Sequence, residues 1–134
     1  MSPPRPHNRT VPADDHVRRG RLTKARQFLA VADDARDLHD SDETVADACV
    51  TLYVHAGIAA ADAVCARHLG RHAKGQSHEE AVQLLAMVDR TAAQDLSVLL
   101  GMKTRAGYGH DSVTATQVLR ASRLASRLVD LALT

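Results

Sequence analysis

From about Ser41 to Leu69 the chain is apolar almost all the way round a helix, and this segment decides most of what the chain can become. Ser41, Asp42 and Glu43 supply the capping oxygens and acids that open a helix, and Gly70 supplies the stop. A helix that is apolar on every side must be covered on every side, so it is predicted at the centre of a bundle. Its polar residues are gathered rather than scattered. Asp47, Thr51, His55 and Asp62 fall within about 80° of one another at about 100° per residue, on a stripe broken by Ile58. Ala59, Ala60, Ala61 and Ala63 let another helix approach closely.

The rest of the core has to be built from equally small parts. Aromatic residues make up 2% of the 134, with no Trp and one Phe, so Ala, Leu and Val must fill the interior. Those residues favour closely packed helices over β-sandwiches. The length suits one domain with a real core. A net charge of +1 excludes a global pull toward nucleic acid, so any such contact must come from a local patch. The strongest is His16 to Arg26, which carries Arg18, Arg19, Arg21, Lys24 and Arg26 and no acid. Most such runs are a solvated helix face. No run of 18 apolar residues suggests a membrane span, and no apolar region near the N-terminus suggests a secretion signal. Cys49 and Cys65 would lie about 24 Å apart on one helix, beyond disulfide reach. Buried, reduced thiols and a cytoplasmic protein are expected.

All four prolines fall in residues 1–15, which read as a disordered tail. A first amphipathic helix follows from Val17 to about His39, with Leu22, Ala25, Phe28, Leu29, Ala32 and Ala35 on its apolar face. After the central helix, Ser77-x-x-Glu80 matches a capping box and opens a third helix, with Ala81, Leu84, Leu85 and Val88 inward. A fourth runs from about Ala92 to Arg105 on Leu96, Leu99 and Leu100. Thr114-x-x-Gln117 is a second capping box. It opens the last helix, with Val118, Ala121, Ala125, Leu128 and Ala132 on one side and Arg120, Arg123 and Arg127 on the other. No strand is expected, since no stretch alternates cleanly. The expected fold is all-α: a compact bundle of five up-and-down helices over residues 16–134.

Between the last two helices lies Lys103-Thr104-Arg105-Ala106-Gly107-Tyr108-Gly109-His110. On an unbroken helix Arg105 and His110 would point about 140° apart, so the pair can share a phosphate only if Gly107 and Gly109 break the helix. Arg105-x4-His110 resembles the signature of the HEPN family, small all-helical domains of which many are RNases. Two further segments are similar to HEPN-like proteins: Ala56-Gly57-Ile58-Ala59-Ala60-Ala61-Asp62-Ala63, and Gly75 to Leu85. The Lys103-x-x-Ala106-x-Tyr108 ending matches as well. The similarity spans residues 17–133. Ala106 departs from the polar residue that usually follows the arginine in the RNase members.

The resemblance implies a metal-independent endoribonuclease or toxin-like protein. His110 would take the 2′-hydroxyl proton or protonate the leaving oxygen. Arg105, always protonated, would grip the phosphate and the charge building on it. It also implies a homodimer with facing motifs, RNA as target, and an antitoxin or nucleotidyltransferase as partner. No cofactor is expected. Tyr108 could stack on a base. A different class of function fits the same residues: a non-catalytic module for a nucleotide, nucleic acid or protein, resting on Asp62, Lys103 and Tyr108, or a dimerising structural protein. An ordinary helix end also accounts for Arg105 and for Tyr108 as a packing residue with a wet tip.

Asp62 sits among small apolar residues and needs a cation, for which Lys103 or Arg105 is the expected partner. His78 is expected to supplement the cap of the third helix or to line a pocket. His68-x3-His72 has metal-ligand spacing, but Gly70 interrupts it and no cysteine or carboxylate cluster completes the set, so no metal site is expected.

Overall fold

The computed structural model describes residues 9–39, 45–75 and 77–134. Within them the order is β1 (Thr10–Pro12), α1 (Asp15–Leu38), α2 (Ala46–Leu69), β2 (Arg71–Ala73), α3 (His78–Val88), α4 (Arg90–Tyr108) and α5 (Ala115–Leu133). The all-α bundle is thus borne out, with five helices among the described residues.

The central helix is where its composition put it. α2 packs against α1, α3, α4 and α5. From Tyr53 to Ala66 every residue is buried except His55, which is exposed, and Ile58, which is half-buried. Gly57 marks the tightest approach. A methyl there would lie 2.6 Å from Leu99 Cδ1 and 3.3 Å from Leu128 Cδ1, so α4 and α5 both close onto α2 through one missing side chain. Leu96, Leu99 and Leu128 are at most 1% exposed, and each such burial stabilises by roughly 1.5–3 kcal/mol. Tyr53, fully buried, keeps its hydroxyl satisfied: it donates to Asp33 Oδ1 at 2.6 Å and accepts from Arg36 Nε at 3.1 Å. That network ties α2 to α1.

α2 has the length and composition of a membrane span, contrary to the sequence expectation, but 72% of the relevant window is buried inside the protein. It is placed as a core helix is placed, covered by its neighbours. It ends at Gly70 in the left-handed conformation, φ +69. The caps expected at Ser41, Asp42 and Glu43 lie outside the described residues. Val45 stands at the N-cap position with no side-chain cap bond.

Two other expectations are corrected. Residues 9–15 are part of the fold rather than of a tail. Thr10, Val11 and Pro12 pair antiparallel with Ala73, His72 and Arg71, Lys74 N–H donates to Arg9 O at 2.7 Å, and Ala13 N–H to Gly70 O at 2.9 Å. Asp14 then caps α1 by accepting from Val17 N–H at 2.9 Å. Three-residue strands carry no alternation long enough to read, and β1 finds its partner about sixty residues away. The second correction is Ser77, which makes no cap bond at its ψ of 71. The N-caps that do bond, Asp14, Asp89 and Thr114, are extended, with ψ of −173, 113 and 161, the geometry that brings a side-chain oxygen under the free amides. At Thr114 the full capping box forms with Gln117, and the predicted inner face of α5 is buried throughout.

Candidate functional site

The octapeptide breaks at Gly109 but not at Gly107. α4 continues through Gly107 to Tyr108, and a methyl at Gly107 would meet nothing within 4 Å. The turn comes at Gly109, whose N–H donates to Arg105 O at 3.2 Å. A side chain at 109 would put its Cβ 2.8 Å from that same carbonyl, so close approach, not φ, demands glycine there. Arg105 and Tyr108 are three residues apart on one helix face; both are exposed, Tyr108 at 80%. His110 follows the turn and is exposed as well.

The loop that carries His110 is tied at its far end by α2. Asp47 Oδ1 accepts from Val113 N–H at 2.8 Å, and Val113 is 2% exposed. Thr51 Oγ1 donates to the Asp47 carbonyl at 2.8 Å. The upper part of the polar stripe on α2 therefore positions the loop after the octapeptide. His110 is held between two anchors, Gly109 on Arg105 and Val113 on Asp47. No hydrogen bond joins Arg105 to His110 among the described residues.

Lys103 belongs to a different face. Two residues from Arg105 along α4, it points about 160° away. Its Nζ lies 3.0 Å from His78 Nε2, so His78 is a partner of Lys103 and not an aid to a cap. Burial pushes the His78 imidazole below its ordinary value, with Lys103 and then His55 adding to the effect. His55, next on the α2 stripe, lies against Phe28 of α1 with ring centroids 5.5 Å apart.

Asp62 is buried, 7% exposed, but neither Lys103 nor Arg105 answers it. Arg21 Nε of α1 is 3.6 Å from Oδ2 and His72 Nδ1 of β2 is 4.0 Å from Oδ1. Burial pushes the Asp62 carboxyl up to about 6, with His72 and then Arg21 pulling the other way. His72 Nδ1 is also 2.7 Å from Ala73 O, the geometry of a ring N–H donating to that carbonyl. Cys65, one turn on, is pushed up to about 12 by burial and by Asp62. Asp62 thus lies at the joint between α1, α2 and the two strands, with none of its partners in the octapeptide. Its partners went unread because they depend on pairing across 41 residues and on a strand too short to detect.

The sequence reading also missed the bidentate pair of α4 and α5. Arg127 Nε donates to Asp95 Oδ2 at 3.0 Å and its second nitrogen to Oδ1 at 2.7 Å. Asp95 lies one residue before the inward Leu96, and that position is the signal that could have marked it as buried. Among the basic residues of α1, Arg18 and Arg19 pair with Asp15 at 2.8 and 3.1 Å, exposed contacts of little energetic weight. Among the described residues no group of His, Cys, Asp and Glu side chains is placed to hold a metal. The chain matches no family model, and no curated protein is similar enough to it to carry an argument.

Proposed function

We propose that this chain is an RNA-directed protein of the HEPN type, and that the turn at the end of α4 binds and cleaves a phosphodiester. One observation supports this above the others. Arg105, Tyr108 and His110 are all exposed within six residues, on a turn fixed at Gly109 and again at Val113. A guanidinium, an aromatic ring and an imidazole are offered together to solvent on a short, anchored loop.

The chemistry follows from those three groups. Arg105 donates to the phosphate oxygens and holds the charge that builds on phosphorus. His110 accepts the 2′-hydroxyl proton as the 2′-oxygen bonds to phosphorus, or gives a proton to the 5′-oxygen as its bond breaks. The products are a 2′,3′-cyclic phosphate and a 5′-hydroxyl. Tyr108 stacks on a base beside the scissile bond. A homodimer in the cytoplasm, with two such turns facing one cleft and an antitoxin or nucleotidyltransferase as partner, completes the proposal.

Incubating several RNAs with the purified chain in chelator tests it. Cleavage by wild type and its loss in His110→Ala is the expected result; intact RNA under all conditions counts against the nuclease. A second reading, a non-catalytic binding module, is favoured by the unbroken α4 helix at Gly107 and by the lack of a hydrogen bond between Arg105 and His110. It predicts retention of RNA or nucleotide without cleavage, weakened by Arg105→Ala and Tyr108→Ala.

A further inference from the structure

The acids of this chain are unevenly placed. None of the 16 Asp and Glu residues falls within residues 96–110 or 112–129, which cover most of α4 and α5. Arg105, Arg120, Arg123 and Arg127 lie there, all exposed. One contact fixes where the arginines of α5 point. Arg127 reaches across to Asp95 of α4, donating at 3.0 and 2.7 Å, so its face of α5 borders the seam between the two helices. Arg123 and Arg120 precede it by about one and two turns and fall within about 60° of each other. A short connection joins the end of α4 to the start of α5, and Asp95 meets Arg127, so the two helices run antiparallel. Arg123 and Arg120 therefore lie between the Asp95–Arg127 pair and the Arg105 turn. Arg105 itself stands about 15 Å beyond Asp95 along α4 and about 80° round it, toward solvent.

Asp95 cancels the charge of Arg127. Among the described residues no carboxylate pairs with Arg105, Arg120 or Arg123. The basic segment of α1 differs, because Arg18 and Arg19 are answered by Asp15 and Arg21 by Asp62. A row of exposed, unpaired guanidiniums offers charge-assisted donors to an extended anion. We infer, resting on the RNA-directed reading of the turn, that the α4–α5 seam carries the backbone of single-stranded RNA away from that turn, with Arg120 and Arg123 each on a phosphate. Tyr108 favours a single strand over a duplex. It is 80% exposed and offers its ring to an unpaired base, which a duplex keeps stacked inside.

The probe is a fluorescein-labelled 2′-O-methyl RNA oligonucleotide. It lacks the 2′-hydroxyl nucleophile, so anisotropy reads its binding to the full chain without cleavage. Its affinity should fall as salt rises, and Arg120→Gln combined with Arg123→Gln should reduce the slope of log affinity against log salt by about 1.4, at ~0.7 per phosphate contact. Arg120→Lys with Arg123→Lys keeps both charges and should keep the slope. Arg18→Gln with Arg19→Gln changes the net charge equally on α1 and should leave the slope as in wild type. Both α5 positions are exposed, so their variants should match wild type by circular dichroism. A slope unchanged by the α5 glutamines, an equal drop from the α1 pair, or tighter binding of a duplex of the same length overturns the strand path. Failure of the nuclease reading looks different. Wild type that binds with this slope yet leaves ordinary RNA intact removes cleavage and keeps the path; cleavage with unchanged KM in the α5 glutamine variant keeps the nuclease and removes the path.

Discussion

Replacing Asp62 with asparagine should stabilise the protein at high pH, although it removes a buried charge that has Arg21 and His72 beside it. The carboxyl lies 3.6 Å from Arg21 and 4.0 Å from His72, both longer than a good hydrogen bond. Its rise from the ordinary 3.8 to about 6 says that burial outweighs both attractions. At ~1.4 kcal/mol per pH unit, that rise corresponds to about 3 kcal/mol by which the fold disfavours the ionised form. The sign follows from proton binding. Between pH 4 and 6 the native state holds more protons than the unfolded chain, so this group's contribution to stability grows as pH falls and is lost as pH rises through 6. Asparagine keeps the shape and drops the charge. Urea denaturation should give a variant up to about 3 kcal/mol more stable than wild type at pH 8 and only about 1 kcal/mol more stable at pH 4.5. For a chain of this size the pH 8 gain is about 10 °C in Tm. A variant less stable than wild type at pH 8 would refute the reasoning, since the contacts with Arg21 and His72 would then outweigh desolvation. A gain independent of pH would refute it too.

Two other perturbations probe the parts of the fold that present the site. Gly57→Ala gains ~1 kcal/mol of helix propensity but drives a methyl to 2.6 Å from Leu99 Cδ1. Overpacking of that kind costs about 1–3 kcal/mol, so a net loss of up to about 2 kcal/mol is expected in thermal unfolding, and a variant more stable than wild type contradicts the close approach of α4. Asp47→Ala removes the acceptor for Val113 N–H. It should cost about 1–2 kcal/mol in denaturant and reduce RNA cleavage at temperatures where the variant is fully folded; unchanged cleavage there would detach the loop anchor from function.

Much of the fold is legible in the order of the residues alone. The inward faces of α3, α4 and α5, the Thr114–Gln117 capping box and the central place of α2 all follow from local periodicity, where each residue's neighbours are three and four positions away. What could not be read depends on distant partners. β1 pairs with β2 through three residues, Arg21 reaches Asp62, and Asp95 meets Arg127. Each joins segments whose spacing in sequence carries no signal. The candidate site divides the same way. The exposure of Arg105, Tyr108 and His110 fits their place after the last inward leucine of α4, but the helical period alone separates Lys103 from Arg105. The octapeptide places Lys103 and Arg105 on opposite faces of α4. Gly107 was misleading because a single glycine is tolerated inside a helix at about 1 kcal/mol, while the stop was set by the carbonyl contact at Gly109.

The ends of the RNA fragments test the proposed metal-independent transesterification at the α4 turn most directly. Fragments made by wild type in chelator should carry 2′,3′-cyclic phosphate and 5′-hydroxyl ends, and neither Arg105→Ala nor His110→Ala should produce them while both variants remain folded. Fragments with 5′-phosphate ends, or cyclic ends made equally well by His110→Ala, would contradict it.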